Sequence, residues 1–135
     1  VSTSEERRAA GRAVQGALWP STLTGPTGRF PAAQLAPDFF DHVQQAAFGE
    51  LWSRPGLAVR DRSLITVAML AALGHHEELK AHLVGARNVG ISAEELVEAL
   101  MQVSIYAGVP AAAAALRTAA EVLEVPAEHG GSPPD

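Results

Sequence analysis

Apolar positions recur along this chain at helical spacing, and nowhere with the strict alternation of a half-buried strand. Residues 3–18, rich in Glu, Arg and Ala, predict a first helix ended by Trp19-Pro20. The stretch 21–37 carries three prolines and two glycines and predicts a long ordered connection or arm. Pro37-Asp38 then opens a helix through FFDHVQQAAFGELW. Phe40, Val43, Ala47 and Leu51 form its expected stripe at spacings of 3, 4 and 4, and Arg54-Pro55-Gly56 stops it.

Residues 59–73, VRDRSLITVAMLAAL, start charged and then turn apolar on nearly every side, as expected of a helix surrounded by protein in a core or at a subunit contact. Gly74 closes this helix, and the next runs from about Glu77 to Asn88 with Gly90 in the C′ position. Ser92-Ala93-Glu94-Glu95 has the form of a capping box, and the stripe after it is Leu96, Leu100, Val103 and Ala107. Gly108-Val109-Pro110 breaks the chain, with Pro110 expected at N1 of an Ala-rich helix reaching about Glu124. Residues 126–135 read as a frayed tail. The expected fold is all-α, a bundle of about six helices. It forms one domain over residues 1–125, in which 1–36 are an N-terminal helix and arm. Short links between the last four helices favour antiparallel packing, and the small residues 111–115 permit close helix approach.

Composition narrows the function. Apolar residues make up 47% and charged ones 19% of 135 residues, which suits a globule with a real core. A net charge of -5 argues against a nucleic-acid partner, which needs clustered Lys and Arg. No apolar run is long enough to span a membrane and no secretory h-region is visible, so a cytoplasmic location is expected. The chain has no cysteine, which removes disulfides, thiolate nucleophiles and thiol-based zinc sites together.

Chemistry concentrates in GHHEELKAHL, where His75, His76, Glu77, Glu78 and His82 fall within one short stretch. The metalloprotease pattern of His-Glu-x-x-His fails because Lys80 stands where the second His belongs. A looser set of His75, Glu78 and His82 would share a helical face, but His75 follows Gly74 directly and no further ligand cluster completes it; no metal or other cofactor is expected. Glu78 and His82, one turn apart, form the sharper candidate. A carboxylate beside an imidazole fixes its tautomer and raises its pKa, which suits proton transfer near neutrality. A helical projection puts His82 about 60° and Glu78 about 100° from Leu79, on one flank of the apolar stripe. An ordinary surface ion pair has the same spacing, so spacing alone leaves the choice open.

The run 48–112 resembles the carboxymuconolactone decarboxylase family, within the wider alkylhydroperoxidase-D-like superfamily. The matching residues are Gly49-Glu50-Leu51-Trp52, Arg54-Pro55-Gly56-Leu57, Arg62-Ser63-Leu64, Ala72-Leu73-Gly74, Glu78-Leu79 with His82, and Tyr106-Ala107-Gly108-Val109-Pro110-Ala111-Ala112. The resemblance implies an all-helical, tightly interlocked homo-oligomer, a hexamer or trimer. In the hydroperoxidase branch, Cys-x-x-Cys is followed, after three intervening residues, by a His. On this chain His82 takes the His position, Glu78 the second Cys and His75 the first. Without thiols, disulfide-based peroxide reduction is excluded. The decarboxylase branch carries Glu and His there, as this chain does.

The resemblance therefore implies a cofactor-independent carbon–carbon lyase acting on an unsaturated lactone or related enolisable acid. Electrons left by departing CO2 delocalise through a conjugated alkene into the lactone carbonyl, so the protein needs only to bind, stabilise and protonate. On this basis His82 is the proton donor and Glu78 orients and charges it. Arg62, with Arg60 and Arg54 near it, binds carboxylate or lactone oxygens. Glu50 joins the substrate-binding set, and Trp52 and Tyr106 are pocket walls. Structural roles compete with several of these: Arg62 can pair with Asp61, Glu50 can sit at a subunit contact, and Trp52 can be core. The chain also departs from the family. Ala17 to Thr22 replaces a polar His-Val segment, Ala113 stands where Asn is usual, and Ala46-Ala47 precede Phe48 in place of a Tyr. These changes remove polar groups and imply a bulkier or less charged substrate, such as a secondary-metabolite intermediate. A non-catalytic oligomeric scaffold or ligand-binding protein of the same fold is the alternative.

Overall fold

The computed structural model describes residues 2–20 and 31–124, and within them every regular element is helical. In chain order these are α1 (Ser4–Leu18), α2 (Pro31–Leu35), α3 (Pro37–Val43), a π-helix (Gln44–Trp52), α4 (Val59–Leu73), α5 (His76–Asn88), α6 (Ala93–Ala107) and α7 (Val109–Val122). Taking α3 and the π-helix as one continuous rod, six long helices and the single turn of α2 make up the fold. The expected arm falls partly, and the expected tail wholly, outside the described residues. No helix among the described residues is long and apolar enough to cross a membrane.

Capping chemistry sets several boundaries. Thr3 and Glu6 form a capping box on α1, with Glu6 N–H donating to Thr3 Oγ1 at 3.2 Å. Ser92 and Glu95 repeat the device on α6, so that helix starts where the sequence predicts. Gly74 ends α4 at φ 75°, a left-handed turn that other residues adopt only with strain. α7 differs slightly from expectation: Val109 takes N1, and Pro110 follows it with its missing N–H still in the first turn.

Helices α4 to α7 enclose one core, in which Val67, Leu79, Leu83, Ile91, Leu96 and Leu100 are fully buried. Each such aliphatic side chain contributes roughly 1.5–3 kcal/mol relative to exposure. A second core lies where α1 crosses the π-helix, built from Val14, Leu18, Trp19, Phe48 and Trp52. These two helices approach backbone to backbone at Gly11 and Gly49. A Cβ on Gly11 would lie 2.5 Å from the Gln44 carbonyl oxygen, and one on Gly49 would collide with the Arg7 carbonyl. Polar side chains tie the same seam at its edge. Arg8 grips Asp41 with two bonds of 2.7 and 2.9 Å, and Arg7 pairs with Glu50 at 3.1 Å. The Arg8 guanidinium holds the Asp41 carboxyl below its usual range.

The π-helix overturns one expected stripe. Continued α-winding from Phe40 and Val43 would bury Ala47 and Leu51. The wider turn advances the buried face by one residue, so Phe48 and Trp52 point inward while Leu51 is exposed. Within this chain, the described residues cover helix α4 on one face only. Ser63, Val67 and Ala71 are buried, whereas Ile65, Met69 and Leu73 face outward from this chain.

Candidate active site

Helix α5 buries Leu79, Leu83 and Ala86 completely against the main core, so the residues flanking that stripe meet the neighbouring second core. His82 is one of them. The C-terminal end of α1 is fastened over it by two hydrogen bonds. Trp19 Nε1–H donates to the Ala81 carbonyl at 2.8 Å, and the Asn88 side chain donates to the Leu18 carbonyl at 2.7 Å. Between these ties lies Gly85, where a Cβ would stand 3.1 Å from Trp19 Nε1. The missing side chain makes room for the indole.

The result is an imidazole walled by aromatic rings. Trp19 meets His82 edge-on, with centroids 5.0 Å apart and planes at 72°. Trp52 stacks on it at 5.9 Å and 23°, and Phe48 in turn stacks on Trp52 at 5.7 Å and 28°. Only 8% of His82 is exposed, and its Nδ1 is buried with no hydrogen-bond partner. Burial pushes its pKa from 6.5 down to about 4. Taking charge out of water disfavours the imidazolium, and none of the described residues compensates.

This corrects the expectation for the Glu78–His82 pair. The two residues share a helix one turn apart, but Glu78 is exposed and no hydrogen bond joins them. Desolvation, not a carboxylate, governs the ring, and it moves the pKa down where the pairing predicts up. His75 precedes the helix as its N-cap residue, and His76 shares a 2.9 Å hydrogen bond with Thr118. Among the described residues no group of three acidic or histidine side chains is placed to hold a metal ion.

Of the substrate-binding residues expected from sequence, the structure brings Trp52 to His82. Arg62 is half-buried; its Nη2 donates to the Arg54 carbonyl at 3.2 Å, while its Nε is buried without a partner. Arg60 is committed to an ion pair with Glu95 across α4 and α6, and Glu50 to Arg7. Tyr106 is 84% exposed. It lines a groove of about 290 Å³ between α4 and α6 that includes Met69, Ala72 and Gln102 but neither His82 nor Trp52. A larger groove of about 400 Å³ runs between α6 and α7, floored by Val97, Leu116 and Leu123 and rimmed by Glu94, Glu98 and Glu124. It holds no imidazole, so its size does not make it the chemical centre.

Two wall residues escape the sequence argument: Trp19, which there only ends a helix, and Phe48, which falls off the α-helical stripe. One signal was present. The chain has two tryptophans, and both lie against the same histidine.

An all-helical bundle whose fifth α-helix presents a buried, aromatic-walled imidazole without any thiol is the class of protein defined here. The model of the Carboxymuconolactone decarboxylase family matches residues 37–121, and the chain belongs to that family. It is 46% identical over 87 residues to 4-carboxymuconolactone decarboxylase of Acinetobacter baylyi, covering 64% of this chain and 65% of that protein. It is also 35% identical over 68 residues to nitrosuccinic acid decarboxylase npaB of Metarhizium robertsii, covering 50% of this chain and 48% of that one. The matches therefore span about two thirds and about half of these relatives' lengths. Helix α1 and Trp19 lie before the family-matched residues, so one wall of the imidazole comes from outside them.

Proposed function

We propose that this protein is a cofactor-independent carbon–carbon lyase, a decarboxylase of an unsaturated lactone or related enolisable acid, with His82 as its proton donor. The observation that carries the proposal is the enclosed imidazole between Trp19 and Trp52, a site sheltered from bulk water. The decarboxylase names of two relatives, whose chemistries share loss of CO2, support the reaction class. The bond from the carboxylate carbon to the substrate breaks, its electron pair passes into the conjugated carbonyl, and CO2 leaves. A proton from the imidazolium then adds to carbon and leaves the ring neutral. Electrostatic help for the transient dienolate is assigned to Arg62 on the family resemblance, its Nε being buried without a protein partner. Aromatic walls favour a flat, largely apolar substrate body.

Replacing His82 by Ala tests this proposal. CO2 release from unsaturated lactone acids should fall by about 10²–10⁴-fold in kcat, with the assembly state unchanged. Unaltered turnover overturns the role of His82. Loss of assembly without any turnover in the wild type favours the scaffold alternative instead. That alternative draws on the exposed apolar face of α4 and α6, which also supports self-association of the chain as a homo-oligomer.

A further inference from the structure

Protonating carbon requires an imidazolium, yet among the described residues the surroundings of His82 supply no anion to hold one. The elements packed against α5 are α1, α4, α7 and, through Trp52, the π-helix. Their charges are paired, hydrogen-bonded or exposed. Arg7, Arg8 and Arg12 of α1 pair with Glu50, Asp41 and Glu5. On α4, Arg60 pairs with Glu95, Arg62 donates to a carbonyl, and Asp61 is exposed. Glu121 of α7 and Glu77 both lie beside Lys80, and Arg117 and Glu78 are exposed. Among the described residues no charged neighbour contributes to the ring's pKa, which burial lowers to about 4. The aromatic walls, by contrast, tolerate a cation, because a stacked indole face attracts positive charge.

We propose that the missing anion is the ligand's own carboxylate, so that a conjugated carboxylate enters the seam of α1, the π-helix and α5 together with one proton on His82. This rests on His82 being the substrate site. Three features of geometry support it: the nearly sealed ring, its buried Nδ1 without a partner, and the stacked Trp52 face, which accepts a cation while offering no counter-charge. An opposite charge in contact moves a titrating group by about 1–3 pH units, enough to return this ring to the neutral range. The proton is also the one the reaction consumes. A carboxylate plus one proton becomes CO2 and a C–H bond, so uptake at binding completes the balance before the C–C bond breaks.

Benzoate is a suitable probe, being a flat conjugated carboxylate with no decarboxylated dienolate within reach. Calorimetric titration in buffers of different ionisation enthalpy gives protons taken up per benzoate bound. The wild type should take up close to one proton at about pH 6, so its Kd should weaken nearly tenfold per pH unit around that pH and level off above neutrality. His82→Gln should bind without uptake, and Glu78→Gln should keep it. If His82→Gln does not fold, the imidazole proton resonances of the wild type still report whether benzoate charges the ring. Binding without proton uptake, uptake that persists in His82→Gln or vanishes in Glu78→Gln, or no binding at tens of millimolar benzoate overturns the proposal. CO2 release assayed in parallel separates the two ideas: turnover without proton-coupled binding removes this one, and proton-coupled binding without turnover removes the lyase.

Discussion

At His82 the cost of charging a buried ring translates directly into a dependence of stability on pH. The unfolded chain carries this histidine at its ordinary 6.5, the folded one at about 4. Between those values the unfolded state binds more protons, so stability is complete above pH 6.5 and is lost as pH falls toward 4. The difference from pH 7 to pH 5 is on the order of 2 kcal/mol. Carboxylates do not confuse this window. Glu5, Asp41 and Glu95 are held low by Arg12, Arg8 and Arg60, so their contributions begin to fall only below their ordinary 4.5, 3.8 and 4.5. Urea midpoints should therefore drop from pH 7 to pH 5 in the wild type and stay nearly level in His82→Phe. Equal slopes in the two proteins would show that the ring is not sealed in solution. The sequence made His82 legible as a flank residue of an amphipathic helix, but not its burial. That depends on Trp19, whose indole bonds to Ala81 from 62 residues away along the chain.

Among the elements, the π-helix departs most from the periodic pattern, and the reason lies in its partner. Helix boundaries at α4, α5 and α6 were readable because glycines and capping boxes act locally. Winding between Gln44 and Trp52 is not local: it accompanies a backbone-to-backbone contact between Gly49 and Arg7 and between Gly11 and Gln44. The same turn carries Phe48 and Trp52 inward, so it aims two walls of the candidate site. Gly49→Ala should push α1 away and destabilise the fold by about 1–3 kcal/mol in urea unfolding. Gly16→Ala, on the same α1 but with nothing within 4 Å of the new methyl, should stabilise by roughly 0.5–1 kcal/mol. Opposite signs for two identical chemical changes distinguish packing from propensity. If Gly49→Ala is neutral, the glycine contact does not hold the seam.

Over the whole molecule, the described residues expose two rows of apolar side chains on adjacent helices. Ile65, Met69 and Leu73 stand at four-residue spacing on α4, and Met101, Ile105 and Val109 continue the pattern from α6 into α7. Helix α4 packs beside α6, so the two rows lie on adjacent elements, with Tyr106 between the latter two residues in sequence. Scattered exposed apolar residues are ordinary, whereas rows on neighbouring helices mark a surface that another protein covers. The sequence signalled this through the near-uniform apolarity of residues 66–73, but it could not decide between a core helix and a contact helix. The observed split settles the inward half: Ser63, Val67 and Ala71 face the core. The outward half is consistent with the proposed homo-oligomer, whose members cover each other's rows. Light scattering at micromolar concentration should give a mass several times 14.1 kDa for the wild type. A Met69→Lys, Ile105→Lys double variant, which places two charges among those rows without touching the core, should shift it to the single-chain mass while retaining helical circular dichroism. A wild type that scatters as one chain removes the assembly proposal, and leaves this face for a different partner.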